Sequence, residues 1–330
     1  MGLSLPVAAQ NASPGVRVQF PARPLIAGAV DRSRLATTSG AVSGEVATAV
    51  DLGARDPLEP MEHIQLVLRR SEERQAAFDA AVVALHQHGN AQYHQWLTPE
   101  AIGAEFGPAA SDIATLTGYL EAEGFRVNGV GKSGMFVDFS GTVAQVQASF
   151  HTEIHNLRLA SGEERYSAVR EAQLPEALTP LVAGFVSLGN ISPRPTVAPA
   201  RAPIELRGLA GPGGALNNAH PSDTAGSSYH VGAQDFYTIY NERPLIAGGT
   251  INGSGITVAL LEETDIHTAD VTSFRTTMGV TPATPSLTVE HGAGATSCSD
   301  PGITSTSEET EAALDTEWAG AAAPGATLLL

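Results

Sequence analysis

The sequence predicts two consecutive domains: an α+β domain of ferredoxin-like type, then the opening of a parallel α/β domain. Three observations carry this reading. Alternating strands interleave with capped amphipathic helices between residues 56 and 190. A proline- and glycine-rich stretch then breaks the pattern over residues 191–228. From residue 229 onward, apolar runs of strand length are separated by helical segments. A chain of 330 residues has room for both domains, each with its own core.

Residues 1–55 are rich in Ala, Gly, Thr and Pro without a sustained period and read as a mobile leader. Val7 and Ala9, ahead of Gln10, resemble the small residues of a signal-peptidase site, as in a remnant signal peptide. The pattern then sharpens. Ile64, Leu66 and Leu68 alternate with polar neighbours as a half-buried strand. Ser71 is placed to cap a helix with Glu72 and Glu73 at its positive end, Phe78, Val82 and Leu85 on its apolar face, and Gly89 at its stop.

Thr98-Pro99-Glu100 opens a further helix, with proline at the first helical position. Ile113, Leu116 and Leu120 form the stripe of the next, closed by Gly124. Strands are expected at Phe125–Val127 and Met135–Phe139, a Thr142-capped helix carries Val146 and Phe150, and His151–Leu159 is extended. The segment 56–190 supplies its own caps, stripes and strands, so it is expected to fold by itself. His86, His88 and His94 straddle a helix end and a loop without an acidic partner, a poor pattern for metal binding.

Pro193, Pro195, Pro199, Pro203 and Gly211-Pro212-Gly213-Gly214 mark residues 191–228 as a linker open to proteolysis. In residues 229–330, Ile256–Leu261 reads as a buried strand and Val271–Met278 as a helix. Ser305 or Ser307 caps a helix to about Ala322, and Ala326–Leu330 reads as a core strand. Ending in such a strand, the chain reads as a truncated α/β domain.

The formal net charge of −17 argues against nucleic acid or an anionic membrane as partner. Residues 229–330 hold 13 acids against Arg243 and Arg275, which suits work in acid, where carboxylates lose their mutual repulsion. Cys298 is the only cysteine, so no intrachain disulfide can form, and its Ser-Cys-Ser-Asp-Pro-Gly context reads as a loop thiol. No apolar run approaches the ~20 residues of a membrane-spanning helix.

Glu311 and Asp315, four apart, share one face of the last helix. By spacing alone this fits an exposed acidic helix, given Glu308, Glu309 and Glu317 nearby. The surrounding Ala312, Ala313, Leu314, Ala319, Ala321 and Ala322 favour a sheltered pair instead. Two carboxyls forced together cannot both ionise easily, so they can hold and relay a proton in acid.

The segment Glu309-Thr-Glu311-Ala-Ala-Leu-Asp315-Thr-Glu-Trp-Ala-Gly-Ala-Ala-Ala-Pro324-Gly-Ala resembles the triad helix of sedolisins, the serine-carboxyl peptidases of kumamolisin type. Upstream, His94-Gln-Trp-Leu-Thr-Pro99-Glu, Phe106-Gly-Pro, Gly124-Phe, Phe139-Ser-Gly141-Thr and Val146-Gln-Ala-Ser-Phe150 look, in order, like the pro-kumamolisin activation domain. Asp235-Phe-Tyr-Thr-Ile-Tyr-Asn241 is similar to the mature N-terminal region of the family.

The resemblance implies a secreted endopeptidase zymogen acting on proteins or peptides at acid pH. Residues 56–190 would be the activation prodomain, bound intramolecularly as folding aid and inhibitor, 191–228 the processing linker, and 229–330 the first part of a subtilisin-like peptidase domain. Glu311 maps onto the general base, Asp315 onto the acid that orients it, and Glu262 onto an acid that extends the hydrogen-bond chain, with Glu263 competing for that last role. The family's nucleophilic serine, oxyanion aspartate and calcium ligands all lie downstream of this helix, beyond residue 330. Gly294-Ala-Thr-Ser297 imitates the serine motif but precedes Glu311, the reverse of the family's order.

Two other readings compete. One is a non-enzymatic binding protein that keeps the prodomain on a degenerate peptidase remnant. The other is a glycosidase using Glu311 and Asp315, disfavoured because glycosidase carboxylates face each other from separate elements.

Overall fold

The computed structural model describes residues 21–186, 188–191, 223–225, 228–246, 251–291 and 300–330. The chain divides into two compact units, Met1–Ser192 and Pro193–Leu330.

In the first unit, β1 (Leu35–Thr37), β2 (Val50–Ala54) and β3 (Pro60–Leu68) precede the helices α1 (Glu72–His86), α2 (Pro99–Phe106) and α3 (Ala110–Ala122). There follow β4 (Arg126–Val130), β5 (Phe136–Thr142), α4 (Val143–Phe150), β6 (Ile154–Arg158), β7 (Glu164–Ala168), β8 (Gln173–Pro175) and β9 (Val182–Phe185). An antiparallel sheet runs in the order β4-β5-β3-β9, a second β2-β6-β7, and β1 pairs with β8.

The alternation in β3 does place Ile64, Leu66 and Leu68 in the core, and Met61 joins them across a register shift between Met61 and Ile64. His63 sits in that irregularity with φ 55°, and its backbone N–H donates to Ser140 Oγ at 3.2 Å. Four phenylalanines meet at the centre. Phe150 stacks on Phe125 at 5.3 Å and meets Phe139 and Phe185 edge-on at 5.9 and 5.1 Å.

The capping grammar holds. Ser71 accepts from the Arg74 N–H, Thr98 from Ala101, and Thr142 forms a reciprocal box with Gln145. Gly89 and Gly124 take positive φ after their helices. The face of α1 differs from expectation. Arg74 and Ala81 are its buried residues, while Val82 is exposed, because the helix turns the 74–78–81–85 stripe inward.

Residues 21–55 are also a correction. They are no loose leader: β1 and β2 pair with β8 and β6, and Ala41 is fully buried in the core. The Leu25 and Ile26 N–H groups donate to the buried Asp112 carboxylate at 2.7 and 3.2 Å. Gly40 (φ +87°) approaches Phe185 so closely that a Cβ would lie 2.2 Å from its carbonyl oxygen. These contacts are long in sequence, so no local period announces them. The signal-like start at Val7 and Ala9 lies outside the described residues, as does most of the 191–228 linker.

The second unit contains β10 (Asp223–Ala225), β11 (Ser228–His230), α5 (Ala233–Ile239), α6 (Arg243–Ile246), β12 (Thr257–Ala259) and α7 (Thr268–Thr277). It continues with β13 (Ser286–Thr288), α8 (Thr306–Ala322) and β14 (Thr327–Leu329). Strands β12, β14 and β13 lie parallel in that order, with Leu328 buried in the central strand. The architecture is thus mixed, several antiparallel sheets and one parallel.

Two expectations change here. Strand β13 is additional, missed because Ser-Leu-Thr carries one apolar residue. Strand β12 is an edge strand rather than a buried one, and Ile256 and Leu261 beside it are exposed.

Candidate functional site

Helix α8 is fixed at its C-terminal half. Ala312, Thr316, Gly320 and Ala321 form its buried stripe. Trp318 meets Phe236 of α5 and Phe274 of α7, each at 5.8 Å. Tyr237 Oη donates to the Ala321 carbonyl at 2.7 Å.

Arg275, fully buried, donates to the carbonyls of Gly320, Pro324 and Pro282 at 3.0, 3.1 and 3.0 Å. Its positive charge thus faces the negative end of the α8 dipole. Gly320 has to be small, since a Cβ there would lie 2.8 Å from the Arg275 guanidinium. The sequence offers one hint of this arginine: it stands four residues after Val271 on the apolar stripe of α7.

With its far end held, α8 presents carboxylates along its first turns. Ser305, the cap, accepts from the Glu308 N–H at 3.2 Å. Glu311 is half-buried and Asp315, one turn on, is exposed, as is Leu314. The helix is less sheltered on this side than its alanines suggest.

Glu262, just past the end of β12, comes to the same place from the sheet. Burial pushes its carboxyl above the usual range, and the nearby Asp315 and Glu311 carboxylates push it further. A hydrogen bond joins Glu262 to Asp315. The fold therefore brings Glu262, Asp315 and Glu311 together, and burial drives Glu262 toward protonation. Such a constellation can store a proton and pass it along a carboxyl chain.

Other acids of α8 do different things. Glu309 accepts from the His267 backbone N–H at 3.2 Å and pairs with its ring Nδ1, which holds that imidazole above its ordinary range. Glu317 is half-buried, and burial, then Asp270, pushes its carboxyl up to about 7. His291 Nε2 pairs with Asp265 at 2.8 Å, which likewise raises the imidazole.

In the first unit, His86, His88 and His94 do not converge on an acid. They enter an aromatic ladder instead, with His94 stacked on Tyr93 at 3.7 Å and on Trp96 at 5.2 Å. Ser297 and Cys298 lie outside the described residues.

The fold and this carboxyl cluster define a protein in which an antiparallel-sheet domain precedes a parallel-sheet unit rich in acids. Residues 48–190 match the family "Pro-kumamolisin, activation domain". Xanthomonalisin of Xanthomonas sp. (strain T-22) is 26% identical over 266 residues, 80% of this chain and 30% of that protein. Sedolisin of Pseudomonas sp. (strain 101) is 25% identical over 130 residues, 39% of this chain and 22% of that protein. The chain thus carries a match to a pro-kumamolisin activation domain over residues 48–190 and a distant similarity, reaching beyond that segment, to xanthomonalisin and sedolisin. It spans less than a third of the length of these curated relatives.

Proposed function

We propose that this chain is the N-terminal portion of a secreted serine-type endopeptidase zymogen that acts on proteins or peptides in acid. The observation that carries the reading is the meeting of Glu262, Asp315 and Glu311, with Glu262 raised by burial and by the other two. In this reading Glu311 takes the proton of a serine hydroxyl, Asp315 orients Glu311, and Glu262 holds Asp315 through their hydrogen bond. Carboxyl bases remain competent at a pH where a histidine base is blocked by its own protonation.

No serine follows Glu311 within residues 312–330, so the nucleophile and the oxyanion aspartate are assigned to residues outside this chain. Calcium is assigned there too, and no step here passes through it.

Residues 56–190 are read as the body of the folding aid and inhibitor, 191–228 as the segment cut on activation, and 229–330 as the opening of the peptidase domain. Sheet order β4-β5-β3-β9, with helices between β3 and β4 and between β5 and β9, supports a ferredoxin-like first unit. The parallel β12-β14-β13 sheet supports a subtilisin-like second one.

The test uses the peptidase extended with its remaining domain. Glu311→Gln and Asp315→Asn should each lower kcat by orders of magnitude on an acid-denatured protein, with unfolding unchanged. Near-normal turnover in both variants would remove the pair from the mechanism.

A further inference from the structure

The second unit handles its negative charge in an unusual way. Residues 229–330 hold 13 acids and only Arg243 and Arg275 as fixed cations. Arg275 donates to backbone carbonyls, and Arg243 to Thr238 Oγ1 and the Gln234 carbonyl. Histidines pair with several of its acids: His267 with Glu309, and His291 with Asp265 and Asp300.

Among the described residues, two groups bring cation donors together: Asp265, His291 and Asp300, and His267, Asp270 and Glu309. The second draws on only two segments, the starts of α7 and α8. The first draws on three separate segments at the carboxyl end of the parallel sheet. Asp265 follows β12, His291 follows β13, and Asp300 precedes α8. Ligands of open parallel sheets bind at that end.

We propose that Asp265, His291 and Asp300 form a binding site for a divalent first-row transition ion, with zinc as the probe. One imidazole and two carboxylates are a donor set for such ions, whereas calcium takes oxygen alone. At bond lengths of about 2.0–2.2 Å, tetrahedral ligand atoms lie roughly 3.3 Å apart. His291 Nε2 stands 2.8 Å from Asp265 Oδ1 and 3.7 Å from Asp300 Oδ1, a pair of separations that brackets this value. One oxygen from each of the two carboxyl groups also lies within 4.8 Å of the other, close enough for one cation to bridge them.

The ligands are held from behind. The Gly302 N–H donates to Asp300 Oδ1 at 2.7 Å, and the Asp265 N–H donates to the Gly302 carbonyl at 3.0 Å. Buried Thr264 accepts from the Thr304 N–H at 3.0 Å and donates to the Gly302 carbonyl, so the segments carrying Asp265 and Asp300 are stitched together. Such second-layer contacts orient metal ligands. An entry path exists, since the side chains of Asp265, His291 and Asp300 keep 24%, 35% and 63% of their exposure. This inference stands apart from the peptidase reading and survives its failure.

Calorimetric titration of the 330-residue chain with zinc chloride at neutral pH tests it. One saturable site is expected, weakened at least roughly tenfold by His291→Ala and by Asp265→Asn. His267→Ala and Cys298→Ser should leave it within about twofold, and a hundredfold excess of calcium should not displace zinc. Absence of saturable binding, binding that survives His291→Ala, loss on His267→Ala or Cys298→Ser, or displacement by calcium would each overturn the proposal. Should a ligand variant fail to fold, the visible spectrum of the cobalt-loaded wild-type chain decides. An imidazole-ligated low-coordinate spectrum supports the site, and a purely oxygen-ligated octahedral spectrum overturns it.

Discussion

The two units differ in the size of their apolar cores and in how their acids are paired. In the first, 23 buried residues make one continuous apolar cluster, and arginines pair with acids at its surface, as in Arg32–Glu123, Arg34–Glu176 and Arg158–Glu164. In the second, the described apolar clusters hold four and three buried residues, and its most prominent buried side chain is an arginine with no acid beside it. Surface ion pairs contribute little, so the first unit's stability rests on its core. The second depends more on hydrogen bonds to carbonyls and on protonation of its acids. It should therefore answer to pH and cations, and the first to packing.

The largest effect should come from removing residues 1–55. The fragment 56–190 loses β1, β2 and Ala41, and leaves Asp112 buried without the Leu25 and Ile26 N–H groups. We expect it to show no cooperative thermal transition by circular dichroism, while 21–191 unfolds as one unit. Equal transitions in both fragments would show that the early strands are dispensable.

Phe150→Ala should cost about 3–5 kcal/mol in denaturant unfolding of the first unit, because three aromatic rings lose their common neighbour. A loss below 1 kcal/mol would mean that the core is far more plastic than its packing suggests.

Arg275→Met sharpens the contrast from the other side. It removes three hydrogen bonds to carbonyls, two of them buried, at a cost of about 2–4 kcal/mol. That cost should appear in the second unit's transition alone. A shift of the first unit's midpoint would break the division.

The smallest effect is the most specific. Burial pushes Glu317 up to about 7, so the folded state binds its proton more tightly than the unfolded state does. Stability from this group is then fully present below the unfolded value near 4.5 and is lost as pH rises through 7. Glu317→Gln should therefore stabilise the second unit at pH 8 by about 1 kcal/mol, discounted for its partial exposure, and change little at pH 4. Equal effects at the two pH values would show that Glu317 ionises normally.

Local order was legible in the sequence because local rules produce it. Ser71, Thr98, Thr142 and Ser305 cap helices through hydrogen bonds to their own N–H groups, spanning three residues. The alternation of Ile64, Leu66 and Leu68 and the four-residue spacing of Glu311 and Asp315 are likewise periods of the backbone itself. The family motifs rest on the same short segments.

What only the tertiary structure decided spans long stretches of chain. Pairing of Leu35–Thr37 with residues 173–175 turned an apparent leader into part of the core. Exposure of β12 depends on which strands flank it, and its apolar composition says nothing of that. The approach of Glu262 to Asp315, the seating of Arg275 under α8, and the meeting of Asp265 with His291 and Asp300 all depend on how strands order in a sheet. A sequence period records which face of an element is apolar, but not which distant element will cover it.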